Sequence, residues 1–263
     1  MATQTWHHGL VARWWGEFLV AGDDIERFRR AIEEHGEPAL DAGCGTGRLL
    51  VPFRRAGIDV DGADASADML HWCEKRLAAA GLTAVLHRQA MHELNLPRRY
   101  RTIVVCGTFG LGGTRADDLE GLRRLHAHLE PGGTLVMDHY LPTAEPDRWS
   151  GWLEQPELPG EWRQIGERRR AADGDELELA TRTLEFDPLE QTTRAEIRVA
   201  QFRAGEEIAS ETHDIVIGLY FKREIELMLR VAGFADVRVS GGLEDREARP
   251  WTDRRLLFEA RRA

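Results

Sequence analysis

The stretch Pro38-Ala-Leu-Asp-Ala-Gly-Cys-Gly-Thr-Gly-Arg-Leu-Leu50 constrains this chain more than any other. A short apolar run ends at Asp41, glycines follow at Gly43, Gly45 and Gly47, and the apolar Leu49, Leu50 and Val51 resume after Arg48. That order predicts a strand, a tight loop and the start of a helix. Glycines belong where a loop turns sharply and its backbone touches a ligand, because a Cβ there would clash. A helix behind the loop points free N–H groups and its positive dipole end at whatever sits in front.

Spacing narrows the ligand. A dinucleotide fingerprint needs G-x-G-x-x-G, whose third glycine lets helix and strand pack closely. Read from Gly43, that third position is Arg48, so the match fails and D-x-G-x-G-x-G remains. The next strand, Gly57-Ile-Asp-Val-Asp-Gly-Ala-Asp64, ends on an acid, and Ser66 can cap the helix that follows over 67–80. In open α/β sheets an acid at this interval sits where it can accept ribose hydroxyls. Asp64 is that acid. A third strand over 83–87 leads to Gln89-Ala90-Met91, a fourth runs from Tyr100 to Cys106, and Gly107-Thr-Phe-Gly-Leu-Gly-Gly113 lies at the carboxyl edge of the sheet. Then come a helix over 115–129, the turn Pro131-Gly132-Gly133, and a fifth strand from Thr134 to Tyr140.

Composition bounds the rest. At 263 residues with a net charge of −10, the chain fits one large domain with an insertion and has the wrong sign for gripping phosphate backbones. Its arginine clusters at 98–101 and 168–170 have acidic neighbours and read as solvated surface. No apolar run approaches the roughly 20 residues that span a bilayer, and no signal peptide is evident before Gly36. Cys44, Cys73 and Cys106 are odd in number and lack metal-type spacing, which suits a cytoplasmic location. The expected partners are therefore neither nucleic acid nor membrane.

Near the N-terminus, Trp6, Trp14, Trp15 and Phe18 precede a helix expected from about Asp23, whose side chain can cap it. Those aromatics either pack on the core or close over a ligand. Residues 142–221 break the βα rhythm: after a Pro- and Trp-rich connector over 142–159, four antiparallel strands are expected near 162–171, 176–186, 192–203 and 207–221. Their shared apolar face needs cover from the main sheet's domain, a bound substrate or a second subunit, the last making a homodimer. A helix over 222–232, a strand over 236–240 and a last strand from Leu256 complete the pattern. This divides the chain into 1–141, the first part of the core, 142–221, the cap, and 222–263, its remainder.

D-x-G-x-G-x-G, Asp64, the Gln89 position and the Pro-Gly-Gly turn, in that order, resemble the class I S-adenosylmethionine (SAM)-dependent methyltransferases. Ser66-Ala-Asp-Met-Leu70 and Glu211-Thr-His-Asp-Ile-Val-Ile-Gly-Leu-Tyr220 are similar to the aminosugar N-methyltransferases among them, although Leu111 stands where those enzymes carry a histidine. The resemblance implies a doubly wound, seven-stranded Rossmann-like α/β sheet with an inserted antiparallel β cap. It implies SAM as cofactor, held by Asp41, Gly43, Cys44, Gly45, Asp64, Ala65, Met69, Gln89, Ala90, Met91 and Cys106. Gln89-Ala90 replaces an Asp-Ala pair whose side chain and backbone hold the adenine edge. A small-molecule acceptor, methylated on N or O, lies against Trp15, Phe109, Tyr140 and Tyr220. His139 and His213 are the candidate bases for an acceptor that arrives protonated. The motifs of DNA amino-methylating, protein-arginine and metal-dependent catechol-type enzymes are missing, and no metal is expected. Two other functions stay open: a non-catalytic SAM- or metabolite-binding module, and an NAD(P)-dependent reductase, which Arg48 disfavours.

Overall fold

The structure is a computed structural model that describes residues 5–144, 151–242 and 244–263. Part of the expected connector, 145–150, lies outside the described residues. Two helices, α1 (Gly9–Phe18) and α2 (Asp24–His35), precede the βα alternation. It runs β1 (Ala39–Ala42), α3 (Leu50–Arg55), β2 (Val60–Asp64), α4 (Ala67–Ala79), β3 (Leu86–Arg88), β4 (Tyr100–Val105), α5 (Arg115–His128) and β5 (Leu129–Tyr140). After the second sheet it resumes with α6 (Lys222–Val231), β11 (Ala235–Gly241) and β12 (Arg255–Arg261).

The main sheet has seven strands in the order β11-β12-β5-β4-β1-β2-β3. Strands β1 to β5 pair in parallel, and β12 runs antiparallel to both β5 and β11. Strand order reverses at β1, between β2 and β4, which is where ligand crevices open in such sheets. The alternation of strand side chains builds two cores. Leu40, Ile103, Val105, Leu135 and Met137 face Leu122 and Leu125 of α5 and Ile225 and Leu229 of α6. Ala39, Val104, Val136 and Leu257 face the opposite layer, with Phe28, Ile32, Leu50, Phe53 and Leu77. Each large side chain buried this way contributes roughly 1.5–3 kcal/mol. Among the described residues, no helix is long and apolar enough to cross a membrane.

The second sheet is antiparallel, in the order β10-β9-β8-β6 with β7 also on β8. Its strands are β6 (Arg163–Gln164), β7 (Arg169–Arg170), β8 (Glu176–Asp187), β9 (Thr192–Arg203) and β10 (Glu206–Gly218). The strand expected over 162–171 is thus two short pieces. Gly166 separates them at φ +72°, a left-handed turn that a continuous ladder cannot contain. The apolar face, with Leu177, Leu179, Ile197 and Val199, is covered by Val11 and Trp14 of α1. The N-terminal aromatics therefore do pack on a core, that of the second sheet. Ion pairs Arg182–Glu196 (2.6 Å) and Arg198–Glu207 (2.7 Å) cross between strands of this sheet. The end of β10 docks on the loop after β4, where Gly112 N–H donates to Val216 O and Gly218 N–H to Gly110 O, both at 2.8 Å.

Two local expectations change. Asp23 sits at the N-cap of α2 but makes no side-chain cap hydrogen bond; its neighbour Asp24 instead turns inward to Arg48 and Arg255. Strand β3 is only Leu86–Arg88, because its ladder with β2 is limited to three pairs at the sheet edge.

Candidate active site

The glycine loop leaves β1 and is drawn onto the end of β2. Gly43 and Cys44 N–H both donate to Ala63 O, at 2.7 and 3.0 Å. Gly43 stands at φ +82°, and a Cβ there would lie 2.5 Å from Thr108 Oγ1. Asp64 closes the turn: its carboxylate accepts Gly45 N–H at 2.9 Å and Ser66 N–H at 2.8 Å. Ser66 caps α4 by accepting Met69 N–H at 3.2 Å, and its hydroxyl donates to His7 O at 2.5 Å. Helix α3 begins only at Leu50 and has six residues. It is too short for the helix-end field expected from the sequence, so the loop's own N–H groups present the polar surface.

Asp41 is buried below this loop, and its Oδ2 has no hydrogen-bond partner. Burial, reinforced by the Asp64 charge and opposed by Arg48, pushes its carboxyl up to about 7. Burial likewise raises Asp64, against the two N–H groups it accepts. Loop and carboxylates line a cavity of about 340 Å³. All eleven residues expected around the cofactor face it: Asp41, Gly43, Cys44, Gly45, Asp64, Ala65, Met69, Gln89, Ala90, Met91 and Cys106. The Gln89 carboxamide oxygen already accepts Asn95 N–H at 2.8 Å, so its NH₂ is the group left to meet a purine edge. An orphaned buried carboxylate oxygen, a second carboxylate held by backbone N–H groups and a surrounding of acids fit a cationic sulfonium bearing a ribose and an ammonium.

Below Cys106 lies an ionic network. Arg48 pairs with Asp24 and reaches Cys106 Sγ at 3.1 Å. Arg255 donates to Asp24 at 2.8 Å and to Asp138 at 2.6 Å, and Asp138 accepts Gly107 N–H at 2.6 Å. Burial alone would raise Asp24, but the hydrogen bonds and charges of Arg48 and Arg255 outweigh it and hold its carboxyl well below the usual range. The residue that breaks the dinucleotide fingerprint is thus the anchor of this network.

The residues expected around the acceptor separate. Trp15 and Phe109 line the cavity. Tyr140 does not: it stands half exposed at the end of β5 with the Arg255 guanidinium 5.1 Å over its ring. Tyr220 is fully buried behind the wall and donates its O–H to Asp118. Neither histidine lines the cavity. His139 shares the β5 face of Leu135 and Met137 and packs edge-on against Phe109 and Tyr220, at 6.2 and 5.9 Å. His213, on β10, lies 3.3 Å from Glu211 and beside His8. Strand periodicity turns both away.

In their place the cavity holds His7, His92, Asp117 and Asp118, none singled out from the sequence. Burial foremost, with His8 nearby, lowers His7 to about 4. Asp117 is spent on the capping box of α5, accepting the Thr114 N–H at 2.9 Å and hydroxyl at 2.7 Å. Asp118 shares a helical stripe with the buried Gly121, Leu122 and Leu125. A carboxylate on an apolar stripe was the legible signal for it.

Residues 39–133 match the family described as "Methyltransferase domain". A dTDP-3-amino-3,4,6-trideoxy-alpha-D-glucopyranose N,N-dimethyltransferase of Streptomyces venezuelae is 29% identical over 135 residues, 51% of this chain and 55% of that protein. A dTDP-3-amino-3,6-dideoxy-alpha-D-glucopyranose N,N-dimethyltransferase of Streptomyces fradiae is 34% identical over 117 residues, 44% of each chain. The chain thus spans about half the length of these curated relatives. Among solved structures, the CcbJ methyltransferase of Streptomyces caelestis superposes with a TM-score of 0.73 at 21% identity, covering 100% of this chain and 97% of that one. Streptomyces venezuelae DesVI gives 0.68 at 23% identity, covering 94% and 95%. Residues 39–133 therefore match a methyltransferase domain, and the chain as a whole has the fold seen in SAM-dependent methyltransferases.

Proposed function

We propose that the chain moves a methyl group from SAM to a nitrogen or oxygen of a small molecule, with an amine as the favoured acceptor. One observation carries the reading: the glycine turn after β1 and the acid after β2 meet, Gly45 N–H to Asp64 at 2.9 Å, on the wall of a single cavity. Bound there, the sulfonium supplies an already activated methyl electrophile. Asp64 accepts the ribose hydroxyls, the orphaned Asp41 oxygen takes the ammonium of the amino-acid tail, and Gln89 meets the adenine edge. Trp15 of α1 excludes water from the opening, and Phe109 holds the acceptor close to the methyl carbon, where in-line attack needs about 3–3.5 Å.

The names of the two sugar N,N-dimethyltransferases support an amine-bearing acceptor. Free Cys44, Cys73 and Cys106 support work in the cytoplasm. Calorimetry with SAM and with NAD(P)H tests the reading. SAM binding that weakens in Asp64→Ala, with S-adenosylhomocysteine formed from an amine acceptor, upholds it. Heat from the dinucleotide and none from SAM replaces it with the reductase, and SAM binding without turnover on any acceptor leaves a binding module.

A further inference from the structure

We propose that Asp118 takes the proton released by the acceptor during methyl transfer, and that Tyr220 is the positioning residue that fixes its carboxylate; the proposal rests on the methyl-transfer reading above. His139 and His213 do not line the cavity and Leu111, on the same wall, is apolar, so a proton acceptor comes from the other titratable groups that line it, among them His7, His92, Asp117 and Asp118. Of the two adjacent acids on α5, Asp117 already holds the Thr114 N–H and hydroxyl. Asp118 is differently placed. Its Oδ2 accepts the Tyr220 O–H, and no other described residue donates to its carboxylate. Oδ1 is left for a ligand in the cavity that Asp118 lines with Phe109.

Tyr220 is itself held. It is fully buried, 5.2 Å from the Phe109 ring, and the Arg115 guanidinium lies 4.5 Å over its face. Arg115 is in turn paired with Glu224 of α6. The charged and titratable groups facing Asp118 are Asp117 and Arg115 from α5, His92 from the turn Met91–Glu93, and Tyr220. Burial foremost, with Asp117, raises Asp118 to about 6, while Tyr220, Arg115 and His92 pull the other way. A base of that strength is ionised at neutral pH yet still a proton acceptor of use there.

The step balances without another reagent. The ammonium of the bound acceptor passes one proton to Asp118, which becomes a carboxylic acid. The lone pair this frees forms the N–CH₃ bond as the S–CH₃ bond breaks, the bonding pair staying on sulfur as a thioether; the product leaves as its methylammonium, and Asp118 loses its proton to water.

The test uses the full chain with 3-amino-3-deoxy-D-glucose as probe and D-glucose as its hydroxyl match. Calorimetry first measures the S-adenosylhomocysteine complex; if that complex does not form in the wild type, the methyl-transfer reading fails, independently of Asp118. With the complex formed, the protonated probe should bind and D-glucose should not. Asp118→Asn should weaken the probe about tenfold while leaving SAM affinity unchanged, as one charge-assisted contact predicts. Turnover should fall about 100-fold, the lower range for a lost proton acceptor, and the rise of kcat/KM through pH 6 should vanish. Tyr220→Phe, which keeps the ring but removes the donor, should move that rise to higher pH. Equal binding of probe and D-glucose to the wild type, or turnover and a pH profile in Asp118→Asn unlike these, overturns the proposal. Should Asp118→Asn melt before assay, the Tyr220→Phe profile decides: an unmoved rise overturns it.

Discussion

The cavity has two ends built in different ways. The end beneath the glycine loop comes from residues 41–69, two successive strand-to-helix turns tied by backbone N–H groups to Asp64. The opposite end draws Phe109 from the loop after β4 and Asp118 from α5, with Tyr220 behind it from the segment after β10. One end is a local property of the chain and the other of its packing. A local end is fixed once its turns form, whereas an assembled end can be retuned by single side chains without disturbing the fold.

The contrast can be broken experimentally, and the severest test is Gly43→Ala. Its Cβ would meet Thr108 Oγ1 at 2.5 Å from a backbone at φ +82°, so the loop itself must shift. SAM affinity measured by calorimetry should drop by at least about 100-fold, equivalent to about 2.8 kcal/mol. Retained affinity would mean that this end is not backbone-built. Asp64→Ala comes next: it removes an acceptor for two N–H groups and for the ribose, and should cost about 10–100-fold in SAM affinity.

Asp41→Asn sharpens the contrast by separating binding from stability. Burial pushes the native carboxyl up to about 7, above its unfolded value, so between the two the folded state holds a proton that the unfolded state lacks. Stability therefore falls as pH rises through that window and is lowest above it. The variant should melt at least about 2–4 °C above wild type at pH 8, corresponding to about 1 kcal/mol, with little gain at pH 4, while binding SAM more weakly. A variant less stable at pH 8 than at pH 4, relative to wild type, contradicts this. The smallest effect belongs to Ser66→Ala, which loses a cap and the hydroxyl donated to His7 O. It should cost about 1 kcal/mol in thermal unfolding with SAM affinity nearly intact.

What could be read from the sequence follows the same division. The alternating strands and the Ser66 cap rest on short-range spacing, and the structure has both; the cofactor-end residues came from the resemblance, and the structure brings them onto one cavity. His139 was placed by its nearness to the end of a strand and His213 on an apolar strand face, but which face of a strand looks into a cavity depends on neighbours far away in the chain. Tyr220 was read as a wall and is one layer behind it. Its partner lies 102 residues earlier, a distance no local pattern spans. The first strand of the second sheet failed because Gly166 was counted as part of a ladder rather than as its interruption.

The Arg48–Asp24–Arg255–Asp138 network has a consequence for how the molecule is made. Asp24 is synthesised early and Arg255 more than two hundred residues later. Until β12 slots beside β5, Asp24 has only its Arg48 partner in this network, and Asp138 lacks the Arg255 guanidinium that it meets in the folded chain. A nascent chain emerging from the ribosome therefore carries every glycine of the loop after β1 long before the floor beneath that loop is electrically complete.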